Sequence, residues 1–324
     1  MATLVALSAA MHDKCGADFR RTGLQSLPRP LAMYTSEEAH RCVEKDAAIL
    51  GLGLDNVRKI PVDADFRMRI DALEEAVRED RRAGKEPFCV VAAGGTINTG
   101  AIDPMDAIAD FCAREDLWLH VDGAYGALFV LSDRTRDLLR PCGRADSIAL
   151  DPHKLLFAPL EAGCLIVRDR EKLRRAFRFS SSYLTKGEDD PLTDYMDYGP
   201  QLSRSFKAFK VWCALQAFGV DAFARAVDHM LDMARYLGER LAARPMFEPM
   251  APVTLSAVCF RLKDGDDAAN QRLLQRIIDE GTALLGPVAI RGKFALRACV
   301  TNYRTTRDDI DFVVERLASL ARKT

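Results

Sequence analysis

Over its first two thirds the chain alternates short apolar runs with amphipathic helical stretches, and this alternation leaves few folds open. Apolar strands joined through helices belong in a largely parallel sheet covered by helices on its faces. The candidate strands are residues 31–34, 57–60, 88–92, 117–121, 147–150 and 164–167. Residues 36–50 read as a helix between the first two, and residues 71–82 as another, with Leu73 and Val77 on one face. The clearest helix follows Asp103. Asp103 is placed to cap it, Pro104 suits its first turn, and Met105, Ile108, Phe111 and Cys112 form its apolar stripe.

From about residue 201 the pattern changes. Helical stretches at 201–217 and 221–243 precede strand candidates at 257–262 and 294–300, with a helix between these strands. A last helix starts near Thr306 and carries Ile310, Val313, Val314, Leu317 and Leu320 on one face. The expectation is an α/β domain over residues 1–220 and a small C-terminal α+β domain over 221–324. Residues 180–200 are polar and turn-rich, and a loop that long in a compact enzyme is usually functional or mobile.

Composition narrows the function. A net charge of -1 argues against a broad footprint for nucleic acid or an anionic membrane, and no apolar run is long enough to span a bilayer. The opening MATLVALSAAMH is apolar but has no basic start and runs straight into a charged helical stretch, so it reads as structure rather than a signal peptide. Nine cysteines lie scattered without the spacing of a metal site, several inside apolar runs such as Cys89 and Cys164. They read as reduced core thiols, which points to the cytoplasm and to no metal centre.

The chemistry concentrates in two segments, LHVDGAYGALFV and SIALDPHKLLFAPLEAGCLIVRD. Ligands of an α/β sheet gather at the carboxyl ends of its strands. Asp122 directly follows the apolar run LWLHV, and His153 and Lys154 follow SIAL, so both groups project at one edge of the sheet. A carboxylate and a lysine presented together suit pyridoxal 5'-phosphate, which needs a lysine for covalent attachment and an acid for its pyridine nitrogen. Gly123 and Ala124 would let a flat ring lie against the backbone. Taken singly, Asp122 could as well cap a turn and Lys154 be a surface lysine.

Taken together, the segments resemble the group II pyridoxal-phosphate decarboxylases of amino acids. DPHK is similar to that family's cofactor-lysine motif, and HVDGAYG to its HVDAAYG, with Gly123 in place of alanine. YTSEEAHRCVEKDAAILG is similar to the segment whose histidine stacks on the cofactor, which implies His40. GGTINTGAID resembles the stretch beside the cofactor, implying Thr96, although Ile97 replaces a frequent second threonine. LTDYMDYGPQLSRSFKAFKVW resembles the catalytic loop and the following helix, which implies Tyr195 over its neighbours Tyr183 and Tyr198. LRACVTNYRTTRDDID resembles the small-domain strand and last helix, and Leu155 departs from a frequent tryptophan.

The resemblance implies a fold-type I large domain, a homodimer and loss of an α-carboxylate from an amino acid, aromatic by default. Lys154, Asp122 and Tyr195 would be catalytic. His40, Thr96, Asp122, Ala124, His153 and Lys154 would hold the cofactor, His153 near its phosphate. An aminotransferase or aldehyde-forming relative is the nearest alternative, and a non-catalytic scaffold the next. MATLVALSAA is similar to the helix that follows the family's phosphate loop, so the sequence reads as lacking that loop and the family's N-terminal segment, with little activity expected of the chain by itself.

Overall fold

The computed structural model describes residues 1–15, 19–179 and 193–322. Its centre is a six-stranded sheet of β1 (Leu31–Ser36), β2 (Val57–Ile60), β3 (Glu86–Ala93), β4 (Trp118–Asp122), β5 (Ser147–Leu150) and β6 (Cys164–Val167). The spatial order is β2-β1-β3-β4-β5-β6. The first five strands pair in parallel, and β6 closes the edge antiparallel to β5. This is the mainly parallel α/β sheet that the alternation predicts.

Side chains alternate between two buried faces, as a doubly covered sheet requires. Met33, Val91 and Trp118 face one core with Leu7 and Met11 of α1 (Ala2–Lys14) and Val43 of α3 (Cys42–Ile49), after the short α2 (Phe19–Thr22). Tyr34, Val90, Leu119 and Val121 face the other, with Leu73 and Val77 of α4 (Ile70–Arg82) and Ile108 and Phe111 of α5 (Met105–Glu115). Three alanines of α1, Ala6, Ala9 and Ala10, are wholly buried, and the helix lies directly against the sheet. The short helices α6 (Asp133–Leu139) and α7 (Pro152–Leu155) follow β4 and β5, and α8 (Arg170–Phe177) packs on α1.

Beyond it run α9 (Lys207–Phe218) and α10 (Val220–Ala242), then a fully antiparallel sheet in the order β7-β8-β10-β9. Its strands are β7 (Phe247–Pro249), β8 (Ala257–Leu262), β9 (Gly286–Ile290) and β10 (Lys293–Cys299), covered by α11 (Asp267–Asp279) and α12 (Arg307–Ala321). Thr306 caps α12 in a reciprocal capping box with Asp309.

Four sequence expectations need correction. The helix expected over 36–50 begins only at Cys42, because Ser36 is still in register with Ile60 in the parallel ladder and residues 37–41 turn. The helix expected from 201 begins at Lys207. Asp103 does not cap α5, whose cap position is Pro104. Its carboxylate is buried and accepts the backbone N–H groups of Met68 and Ala93, both at 2.7 Å, tying the loop before α4 to the end of β3. Strands β7 and β9 were not anticipated, being three and five residues long, the first ending in Pro249 and the second carrying Pro287 at its second position.

Candidate active site

Parallel pairing sends the carboxyl ends of β1, β3, β4 and β5 to one edge of the sheet. These strand ends and the segments that follow them line one cavity of about 210 Å³: Thr35 of β1 with Ala39, His40 and Cys42 beyond it, Gly95 to Ile97 after β3, Asp122 at the end of β4 with Ala124 and Tyr125 after it, and Asp151 and Lys154 after β5. Met1, Ala2 and Thr3 complete the lining, so the N-terminal end of α1 opens onto the same space. A helix start of this kind offers unpaired N–H groups and the positive end of the helix dipole to an anion.

Lys154 lies on α7, and its Nζ is 2.9 Å from Oδ2 of Asp151. Asp122 is the last residue of β4. One of its oxygens accepts the Ala124 N–H at 3.2 Å, and among the described residues the other has only the Cys42 thiol at 3.8 Å. Burial pushes that thiol up to about 12, and the Asp122 and Asp46 carboxylates add to the shift, so Cys42 stays protonated.

His120 lies two residues before Asp122 on the same strand and is fully buried. Ser147 Oγ accepts the Trp118 indole N–H at 2.9 Å and sits 2.8 Å from His120 Nδ1. This contact fixes the ring, whose Nε2 is buried without a hydrogen-bond partner among the described residues. Burial pushes the His120 pKa down to about 4, leaving it neutral. It brings no positive charge to Asp122.

His40 lies in the turn before α3, where its Nδ1 accepts the Cys42 N–H at 3.2 Å. This bond orients the ring and places its proton on Nε2. His40, Cys42 and Asp122 bring one nitrogen, one sulfur and one oxygen within 4.8 Å of one another. The engaged Nδ1 and protonated Nε2 make this a poor metal site as it stands. Thr96 is almost fully buried, its Oγ1 accepting the Ala101 N–H at 3.1 Å and lying 3.0 Å from Thr99 Oγ1.

Of the residues predicted for the site, His40, Thr96, Asp122, Ala124 and Lys154 line the cavity. His153 does not. Its Nδ1 lies 2.9 Å from the Ala162 carbonyl and its Nε2 is 3.8 Å from Asp151. Tyr195 stands in a 3-10 turn that packs on α8, its ring 70% exposed and outside the cavity lining. Its neighbour Tyr198 lies 6.4 Å away between ring centres, and Tyr183 falls outside the described residues.

Gly123 has another role than the one expected. A Cβ there would sit 2.4 Å from that of Ala127, so the glycine serves packing behind the site, and Ala124 is the small residue facing the cavity. A tighter constraint lies at Gly126, where a Cβ would fall 1.8 Å from the Gly94 carbonyl oxygen. The loops after β3 and β4 thus meet backbone to backbone.

Two site carboxylates, Asp46 and Asp151, were not singled out from the sequence. Asp46 had a readable signal: it sits four residues after Cys42, on the same helical face, in a stretch otherwise rich in alanine.

Residues 1–263 match the model of the pyridoxal-dependent decarboxylase conserved domain. The chain is 34% identical over 332 residues to the aromatic-L-amino-acid decarboxylase of Bacillus atrophaeus, covering 100% of this chain and 67% of that one. Among solved structures it resembles mouse CSAD, with a TM-score of 0.91 and 33% identity over 100% of this chain and 70% of that one. It also resembles Oryza sativa TDC with PLP and tryptamine, with a TM-score of 0.91 and 27% identity over 99% of this chain and 68% of that one. The chain spans about two thirds of the length of the curated relatives it matches, 65% to 67% for the first three.

Proposed function

This chain belongs to the pyridoxal-dependent decarboxylase family, and from that premise we propose that it removes the α-carboxylate of an L-amino acid as CO2 with pyridoxal phosphate as cofactor. The observation that carries the reading is the convergence of Asp122 and Lys154, at the ends of adjacent parallel strands, on one cavity.

The residues present fit the cofactor. Asp122 has an oxygen with only a thiol beside it, ready for a protonated ring nitrogen. Ala39 and Ala124 leave room for a flat ring, and the first turn of α1 offers N–H groups to a phosphate. Lys154 would hold the group covalently, and His40 and Thr96 would flank the ring. His153 would reach the phosphate only after leaving its contact with Ala162. Bound there, the cofactor supplies an electron sink for the pair left behind when the carboxylate departs.

The protein's own groups do the rest. Asp151, paired with Lys154, is the nearest acceptor for the proton the lysine must lose to act as a nucleophile. Asp122 keeps a proton on the ring nitrogen by its negative charge. Tyr195 moves inward from its exposed turn and gives its hydroxyl proton to the product carbon, and the same movement excludes water.

The reading includes a homodimer in the cytoplasm. Phe206, Phe209 and Trp212 form an exposed stack on and beside α9, a helix with no buried residue, and apolar surface of this kind calls for cover. The cysteines of the described residues are all free, as in a reducing compartment.

Borohydride reduction of purified protein with pyridoxal phosphate should fix the adduct on Lys154, and a panel of L-amino acids should yield CO2 and an amine in equal amounts. An adduct on another lysine would refute the site. Keto acid or aldehyde in place of the amine would favour a transaminating or aldehyde-forming enzyme, and no turnover of any amino acid would favour the scaffold.

A further inference from the structure

The cavity holds a second carboxylate that the decarboxylase reading does not use. Asp46 on α3 is 6% exposed and lines the cavity with Asp122 and Cys42. Its Oδ2 is buried without a hydrogen-bond partner. Cys42 lies one turn before it on the same helical face, and the Cys42 sulfur reaches Asp122 Oδ2 at 3.8 Å. Asp46 thus shares the cavity wall with the very carboxylate assigned to the ring nitrogen, with Cys42 of its own helix touching that carboxylate.

A buried acidic oxygen with no donor is costly in a folded protein and calls for a reason. Nothing in the packing of α3 supplies one. Burial pushes the Asp46 carboxyl upward, and the nearby Asp122 charge pushes the same way. The groups that chiefly oppose this are the Met1 amino group on α1 and Lys45, and the Cys42 thiol is neutral. Two carboxylates crowded into a partly desolvated pocket repel each other, and a cation placed among them relieves both.

We propose that Asp46 is a positioning residue that acts through Asp122, making the cavity select a cationic heteroaromatic ring over a neutral one. This rests on the cofactor reading above and deepens it. The Asp46 charge makes an unpaired Asp122 carboxylate costlier, so Asp122 holds a ring N–H more strongly and the ring nitrogen keeps its proton to higher pH.

The test compares pyridoxal phosphate with its analogue carrying carbon in place of the ring nitrogen, in the wild-type protein, Asp46→Asn and Asp46→Ala. The ratio of the two dissociation constants, read by fluorescence, measures selection for the ring cation. In Asp46→Asn it should fall about tenfold, equivalent to one pKa unit at the ring nitrogen. With the cofactor labelled at that nitrogen, its NMR titration should shift downward by about one unit. In an Asp122→Asn background the Asp46 substitution should leave the ratio where it is, since the effect passes through Asp122.

Equal loss of affinity for both ligands, or an unchanged ratio in both variants, would overturn the proposal and leave Asp46 a packing residue. A wild-type protein that binds neither ligand would sink the cofactor reading and this inference together. Changed affinity without changed selection would sink this inference alone.

Discussion

Asparagine at 122 keeps the shape of the side chain and removes its charge, which separates binding from catalysis. Opposite charges about 4 Å apart attract by roughly 4 kcal/mol at an effective dielectric near 20. Lost only in the transition state, that corresponds to about three decades in rate. Asp122→Asn should therefore still bind cofactor, by absorbance, yet release CO2 about a thousandfold more slowly in a stopped assay. Tyr195→Phe should keep cofactor and substrate binding and lose amine formation. If Tyr198→Phe is the crippled variant, the proton comes from the neighbour 6.4 Å away. At this scale the sequence was legible where a side chain follows directly from a strand end. Asp122 and Lys154 could be placed by counting from apolar runs, and His40, Thr96 and Ala124 by resemblance. Asp46 matters through Asp122, which only the folded chain brings to the same cavity, whereas Asp151 was overlooked although its partner Lys154 is three residues on.

Asp103 shows how an element can be anchored by a residue whose sequence context suggests another role. Aspartate before a proline and an apolar stripe reads as a helix cap, yet its carboxylate instead joins two loops through Met68 and Ala93. The capping rule concerns local hydrogen bonding, and here two donors from distant segments won. Burial pushes the Asp103 carboxyl up to about 6 from an ordinary 3.8. The sign follows from a raised folded value: the group's contribution is fully present below the unfolded value and is lost as pH rises through about 6. The difference is on the order of 3 kcal/mol. Urea melts should show about 1 kcal/mol of this between pH 5 and pH 7 in the wild type, the rest lying below pH 5, and its absence in Asp103→Asn, which also costs about 1–3 kcal/mol for the N–H left without an acceptor. The cap at Thr306, by contrast, was legible because its partner Asp309 is local, and Thr306→Ala should cost about 1 kcal/mol in the same melts. Strands β7 and β9 were missed because short strands carrying proline have no periodicity of their own and are made by pairing with β8 and β10.

Across the whole molecule, one hydrophobic core runs from Val121 and Phe129 behind the site, through Met230 of α10, to Val258, Leu296 and Ile310 around the second sheet. We propose the division at residue 220 as two units that share this core. Met230 is fully buried, and Met230→Ala should cost about 2–5 kcal/mol. Hydrogen exchange should then accelerate together in β3, β4, β8 and β10, whereas acceleration confined to one sheet would show two separable units. The backbone contact between Gly94 and Gly126 carries a consequence for anyone reshaping the enzyme. Substrate scope is normally altered by randomising residues around a pocket, and a library that included 126 would consist largely of misfolded members, since even one methyl group there has nowhere to go. Diversity is better spent on Ile97, which faces the cavity without bearing on that contact. The contact thus lies outside the walls it supports, and leaves the lining open to change while the backbone behind it must be inherited unchanged.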